Sequence, residues 1–297
     1  MSALLLFLRL TVDNITVDKE KAIRQIVKSN VINFAQIFSG RHISEMDNPN
    51  GTINMKIHNV FIAALGSELQ YYTSLVRSLD SSLGNMLEQM ALSIAELRFE
   101  VTKSVTGYLY PEQTQKISKL LEAYRNRSNP MKPEVSHYDL VEKAASHYRS
   151  LDDLDREGFY KTHISDYYFY DEENEHHYII ELKIGGDLDN KKARSEKEAI
   201  FEQYAILKNV LNEDAKVTCY FATAYNRFGE GQPWEQGRVR QFFSKDELLI
   251  GADFWNFVCD SEKGYEVVID EYKKNSKYIL DALARIKECY LGNEDES

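Results

Sequence analysis

Two acids and an amine near the middle of the chain have the types and spacing for chemistry on a phosphate. Asp166 precedes the aromatic run Tyr167-Tyr168-Phe169-Tyr170, and Glu181 and Lys183 belong to Tyr178-Ile179-Ile180-Glu181-Leu182-Lys183-Ile184. Aromatic and β-branched residues favour a pleated strand. The polar stretch Asp171-Glu172-Glu173-Asn174-Glu175 between the runs reads as a turn, so the whole reads as an antiparallel hairpin. With the turn centred between Glu173 and Asn174, Asp166 falls directly opposite Glu181. Cross-strand neighbours hold their Cβ atoms about 4.5–5.5 Å apart, close enough for two carboxylates to share one divalent ion. Lys183 points to the face of Glu181, and Leu182 to the opposite face as a core position. A slip of one residue in the turn places the acids on different faces.

Carboxylate oxygens suit hard Mg²⁺, and such an ion polarises a phosphate and acidifies water. Lys183 beside it positions the water, offsets developing negative charge or relays a proton. The chemistry is phosphodiester hydrolysis. An acid-x-Lys tripeptide by itself says little, since Asp189-Asn190-Lys191, Asp214-Ala215-Lys216 and Glu271-Tyr272-Lys273 also fit it. Only the 181–183 copy follows an apolar strand and has an Asp across a hairpin. The competing reading is an exposed, charged hairpin face.

Asp166 with Glu181-Leu182-Lys183 resembles the PD-(D/E)xK nuclease signature, with Ser165 in the proline slot. The likeness continues through Glu181-Leu182-Lys183-Ile184-Gly185-Gly186-Asp187-Leu188-Asp189-Asn190-Lys191-Lys192-Ala193-Arg194, then Glu196-Lys197-Glu198 and Glu202-Gln203-Tyr204-Ala205. It takes in Ser81-Ser82-Leu83-Gly84-Asn85-Met86-Leu87-Glu88 and Asp246-Glu247-Leu248-Leu249-Ile250-Gly251-Ala252-Asp253-Phe254-Trp255. Over roughly residues 77–258 the chain is similar to a family of type II restriction endonucleases that recognise GGNCC. That resemblance implies an α/β (α+β) fold, a PD-(D/E)xK core in which a mixed β-sheet is flanked by helices. It also implies Mg²⁺ as cofactor, double-stranded DNA with a short GC-rich near-palindrome as substrate, and a cognate DNA methyltransferase in the same system. A near-symmetric target calls for a two-fold homodimer with one active site per strand. The core of these nucleases commonly carries a helix whose glutamate enters the active site, which implies Glu88 as a third metal-site acid. From the residues alone, Glu88 reads as a surface acid beside the stripe Leu83, Met86, Leu87, Met90, Ala91 and Ile94.

The elements that position these residues follow from periodicity. Residues 18–38 space Ile23, Ile26, Val27, Val31, Phe34 and Ile37 as a half-buried helix. Residues 55–101 read as two helices broken near 79–84, 111–124 as a helix with Pro111 at its start, and 138–148 as another. Arg125–Pro133, with Pro130, is the linker candidate. The expected division is a mostly helical N-terminal half (1–150), a nuclease core (151–260) and a C-terminal helix and tail (261–297), with one long helix over 265–290. After the hairpin, Gly185-Gly186 turns the backbone and Asp187 or Asp189 caps a helix to about Leu211. Lys216–Ala224 is a third strand, laid parallel by that crossover. Ser244-Lys245-Asp246-Glu247 is a capping box opening a helix, and Phe254, Trp255 and Phe257 read as core.

Lys191, Lys192 and Arg194 crowd the first turns of the crossover helix, where cations oppose the helix dipole. A DNA phosphate favours such a place; the other reading is a solvated face paired with Glu196 and Glu198. Arg227, Gln232, Arg238, Arg240 and Gln241 sit in or after a Gly-rich loop over 226–237. Arginine reads guanine and glutamine suits adenine; the alternative is surface arginine paired with Glu230 or Glu235. His176-His177 is expected at the turn, facing solvent.

The 297 residues, 43% of them apolar, allow a core of good size, and the net charge of −11 opposes non-specific attraction to DNA while leaving room for a local basic cleft. Cys219, Cys259 and Cys289 form neither a disulfide framework nor a zinc spacing, and Met1–Leu10 is too short for a membrane span and lacks a basic start. The expectation is a cytoplasmic protein with no membrane partner. The chain has no P-loop, Gly-x-Ser-x-Gly elbow or His-Glu-x-x-His motif. Three readings remain: a site-specific endonuclease, a repair or junction-resolving nuclease on the same core, and a non-catalytic binding module.

Overall fold

The computed structural model describes residues 16–126, 136–145, 148 and 151–292. Its elements in order are α1 (Val17–Ser44), a 3-10 turn (Asn54–His58), α2 (Val60–Ala63), α3 (Ser67–Ala95), β1 (Glu100–Tyr108), α4 (Pro111–Arg125), α5 (Ser136–Lys143), α6 (Asp153–Glu157), β2 (Tyr160–Asp171) and β3 (His176–Leu182). There follow α7 (Asn190–Val210), β4 (Lys216–Thr223), α8 (Gly237–Arg240), β5 (Leu248–Ile250), α9 (Ala252–Val258), α10 (Gly264–Asn275) and α11 (Lys277–Leu291). The described residues form two compact units, one of residues up to Ser93 together with Glu266 onward, the other Ile94–Tyr265. No helix among the described residues is long and apolar enough to cross a membrane.

In the first unit α1 is capped by Thr16, whose hydroxyl oxygen accepts from the Lys19 amide at 3.2 Å. It buries Ile23, Val27, Val31, Phe34 and Phe38 and packs on α11. The expected break near 79–84 is absent: α3 runs through Gly84 without interruption, and the chain breaks at Gly66 instead, where φ is +97°. A glycine inside a helix costs only about 1 kcal/mol, and burial of the α3 stripe outweighs it. A positive φ, by contrast, is open to few other residues. The expected single C-terminal helix is two, divided at Asn275, whose amide donates back to the Glu271 carbonyl and carboxylate at 2.8 Å each.

The second unit is built on a five-stranded mixed sheet in the order β1-β2-β3-β4-β5. The β1/β2 and β2/β3 pairs are antiparallel; β3/β4 and β4/β5 are parallel. Helix α7 makes the crossover from β3 to β4, as the spacing predicts, and Asp189 caps it by accepting from the Lys192 amide at 2.8 Å. Two strands are not where the periodicity puts them. β1 starts in the last two residues assigned to a helix and continues over 102–108, a stretch given no element, although Val101, Thr102, Val105 and Thr106 carry the β-branched signal. The Ser244–Glu247 capping box forms but opens only one 3-10 turn, after which Leu248-Leu249-Ile250 pair with β4. The linker candidate falls mostly on residues 127–135, outside the described residues, and the helix expected over 138–148 ends at Lys143. His176 and His177 begin β3 instead of facing solvent: His176 hydrogen-bonds Thr218 at 2.8 Å and His177 stacks on Tyr170.

One face of the sheet packs Tyr167 and Phe169 against Phe254, Phe257 and Phe99. Phe254 and Trp255 are buried, as expected of core. The other face meets α7 through Ile200, Phe201 and Ile206. A fully buried Lys197 anchors that helix. Its ammonium is ion-paired with Glu247, lies 3.0 Å from the Tyr138 hydroxyl, and is ringed by Tyr138, Phe201 and Phe243 at 4.6–4.9 Å. Burial lowers the Lys197 pKa, and Glu247 opposes that shift. Removing one partner leaves a buried charge unpaired, which costs about 3–5 kcal/mol. Lys197→Met is therefore expected to lower unfolding free energy by about that amount in urea titration, and a loss under 1 kcal/mol contradicts this account of the pair.

Candidate active site

The β2/β3 ladder runs from Asp171↔His176 to Tyr167↔Ile180, the register of a turn centred between Glu173 and Asn174. One step further along it Asp166 faces Glu181. Lys183 follows directly after β3, and its amide donates to the Ala222 carbonyl of β4 at 2.9 Å. The three side chains meet. The Lys183 ammonium lies 3.2 Å from Asp166 Oδ2 and 3.7 Å from Glu181 Oε2. Asp166 Oδ2 also accepts from the Leu182 amide at 2.8 Å, which fixes the carboxylate against the end of β3.

Pairing with β1 adds a feature that the hairpin alone does not reveal. Thr102 pairs with Tyr168 and Ser104 with Ile164, so Ser165, Asp166 and Tyr167 together stand opposite Lys103. Such a bulge re-aims side chains and often lies beside an active site. Here it brings His163 to the α7 side, 3.5 Å from Glu202. Ser165, in the proline slot, is buried, and its hydroxyl donates to the Tyr167 carbonyl at 3.0 Å across the bulge.

Two α7 side chains complete the cluster, and motif spacing does not point to them. Glu196 reaches the Lys183 ammonium at 3.1 Å, and the fully buried Gln203 donates to Glu181 Oε1 at 2.6 Å. They are seven residues apart, two helical turns, and so lie on one face. A polar Gln203 among Ile200, Ile206 and Leu207 is the signal that was available.

Electrostatics tie the group together. Burial first, and the charge of Asp166 second, push the Glu181 carboxyl up to about 8, against the hydrogen bond from Gln203 and the charge of Lys183. Burial acts to lower the Lys183 ammonium, but Asp166, Glu196 and Glu181 together outweigh it and hold its pKa above the ordinary value. Burial thus favours the neutral form of Glu181, and a nearby cation would favour the charged one. Hard oxygen donors of this kind fit a divalent ion, and Mg²⁺ characteristically takes one or two carboxylates and fills its shell with water and phosphate oxygens. Among the described residues, no three His, Cys, Asp or Glu side chains are arranged to hold a metal by themselves. Glu88 lies on α3 in the helical unit.

The basic residues lie on α7, on α8 and in the loop between β4 and α8. Lys191 and Lys192 are exposed in the first turn of α7, and Glu196, one of the acids that could have paired with them, is engaged by Lys183. The Nε atoms of Arg194 and Arg240 are buried without a hydrogen-bond partner. Arg227 pairs with Asp187 at 2.5 Å, not with Glu230, while Gln232 and Arg238 are exposed. Gly186, at φ +64°, lets the chain turn after Lys183, and a Cβ there would lie 2.7 Å from Thr223 Cγ2.

No curated protein sequence and no solved structure matches the chain. The family described as Type II restriction endonuclease, HinfI, matches residues 19–276, which includes both units and every residue of the cluster. The class of enzyme is the one the resemblance implies, and the description of the family carries no GGNCC specificity. The chain belongs to the HinfI family of type II restriction endonucleases.

Proposed function

We propose that the protein is a Mg²⁺-dependent restriction endonuclease of PD-(D/E)xK type that cuts both strands of DNA using Asp166, Glu181 and Lys183. The observation that carries this is the Lys183 ammonium held between the Asp166 and Glu181 carboxyl groups at 3.2 and 3.7 Å. Asp166 and Glu181 would hold the metal. When bound, the ion supplies Lewis-acid polarisation of the scissile phosphate and an acidified water. Lys183 orients the attacking water and balances charge on the phosphate as it becomes five-coordinate. Gln203 holds one oxygen of Glu181 so that the other faces Asp166 and Lys183, and Glu196 holds Lys183 against drift. Lys191, Lys192, Arg194, Arg227, Gln232, Arg238 and Arg240 take up phosphates and base edges, the orphaned Arg194 and Arg240 donors being the best supported.

Two cuts across a near-palindrome call for two copies of the chain. The side chains of Met55, Ile57, Val60, Phe61, Leu65 and Leu69 are all exposed, with Phe61 at 83%. Such a cluster suits a subunit interface, and a homodimer is the assembly proposed. A methyltransferase of matching specificity protects the host DNA. The recognition sequence is read as a short near-palindrome with a free central base. HinfI itself recognises GANTC, and the sequence resemblance points to GGNCC; the two differ only in the pair flanking the centre. Digestion of a sequenced phage DNA with Mg²⁺, followed by end sequencing, decides between them. Ends at one fixed five-base site support the proposal, whereas ends at branched or damaged positions favour a repair or junction-resolving enzyme.

A further inference from the structure

Beyond β4 the chain makes a tight, braced loop that carries two half-exposed aromatic rings. Tyr225 is 49% and Phe228 46% exposed, and Arg227 lies between them with its guanidinium 5.8 Å from the Phe228 ring centre. Asn226 organises the loop: its side-chain oxygen accepts from the Phe228 amide at 3.0 Å, and its side-chain nitrogen donates to the Gln232 carbonyl at 2.7 Å. Glu230 accepts from the Asn226 amide at 2.8 Å and from the Ala252 amide at 3.1 Å, which ties the loop to the start of α9. Gly229 and Gly231, at φ +102° and +77°, permit the reversal that leaves Phe228 at the tip. None of these links uses the Phe228 ring.

The brace also connects to the acid cluster. The Ala224 amide donates to the Ile184 carbonyl at 3.0 Å, one residue past Lys183. Arg227 and Gln236 both bond Asp187, at 2.5 and 3.2 Å. Gly185 lies so close to Tyr225 that a Cβ would stand 2.9 Å from its Cζ. The position of Phe228 is therefore coupled by short contacts to that of Lys183. In a chain of net charge −11, residues 225–245 carry Arg227, Arg238, Arg240 and Lys245 against Glu230 and Glu235, with Asp246 and Glu247 directly after them. A half-exposed apolar ring beside an arginine fits a ligand with anionic edges and stacked flat faces, which is what a nucleic acid presents.

Resting on the nuclease reading of the Asp166 cluster, we propose that Phe228 is a positioning wedge, entering the base stack of bound DNA and setting the scissile phosphate against Lys183. Aromatic wedges partly unstack a base step and bend the duplex around it. The Arg227–Asp187 pair holds the loop in the DNA-free protein.

The test uses the full chain and a duplex of the cut site found by end sequencing, with a fluorescent base analogue placed at successive positions. Wild type without divalent metal is expected to raise the fluorescence at one or two adjacent positions. Phe228→Ala is expected to lose that rise and to cut about 10- to 100-fold less efficiently, with an unchanged thermal midpoint because the ring is outside the core. Phe228→Trp is expected to restore both. Asp166→Ala is expected to keep the fluorescence rise and lose cleavage. An undiminished rise with Phe228→Ala overturns the wedge, as does wild-type cleavage by that variant. Continued cutting by Asp166→Ala instead overturns the assignment of the acid cluster.

Discussion

Lys183→Ala is expected to give a folded protein that still binds DNA and Mg²⁺ but cleaves at least about 100-fold more slowly. The substitution removes the ammonium that touches Asp166, Glu181 and Glu196. The three carboxyls then lose that counter-charge, so metal affinity is expected to hold or rise. What is lost is the cation that orients water and opposes charge building on the phosphate, an interaction that strengthens in the transition state. The effect belongs in kcat more than in KM. Single-turnover cleavage with enzyme in excess measures it directly. A variant that cuts at the wild-type rate removes Lys183 from the mechanism, and one that loses Mg²⁺ binding would show that the lysine serves only to hold the acids in place.

Glu181→Gln separates function from stability in the same cluster. Cleavage is expected to vanish, because an amide oxygen is a poor substitute for a carboxylate on a hard cation. The metal-free protein, however, is expected to become more stable at high pH. Burial and the Asp166 charge raise the folded-state pKa of Glu181 to about 8, above its ordinary 4.5. A group that binds its proton more tightly in the folded state contributes stability below its unfolded pKa and loses it as pH rises through the folded value. In wild type this contribution falls between about pH 4.5 and 8, and a few kcal/mol is the expected scale. Glutamine keeps the acceptor for Gln203 and carries no charge to bury. Denaturant midpoints of the two proteins should nearly coincide at about pH 5, with the variant ahead at about pH 9 by on the order of 2 kcal/mol. A variant less stable than wild type at the higher pH means that the Glu181 carboxylate is already well solvated or paired.

How much of this was legible depended on how local each feature is. The register of β2 on β3 is set by one short turn and by alternation in two adjacent runs, so the approach of Asp166 to Glu181 can be read from residues 163–184 alone. The bulge at 165–167 exists only by virtue of pairing with β1, some sixty residues earlier, and β1 was hidden because Val101 continues the apolar rhythm of α3. β5 is three residues long and follows a sound helix-capping box, so local rules favour the wrong element there. Glu196 and Gln203 act through tertiary placement of α7 over the sheet. A buried glutamine and a buried Lys197 on an otherwise apolar stripe were the available hints, visible only once that stripe is known to face the core. In the loop after β4 the sequence marks the cations but cannot show that Asn226 and Glu230 brace the chain that carries them.

The account stands or falls on whether the acid pair cuts DNA at a defined sequence. Supercoiled plasmid incubated with Mg²⁺ and either wild type or Asp166→Ala, with the product ends sequenced, puts this directly. Wild type is expected to yield discrete fragments whose ends all fall at one short near-palindrome, and Asp166→Ala to yield none while still retarding the DNA in a gel. Discrete fragments from Asp166→Ala, or wild-type ends scattered without a common sequence, contradict the account.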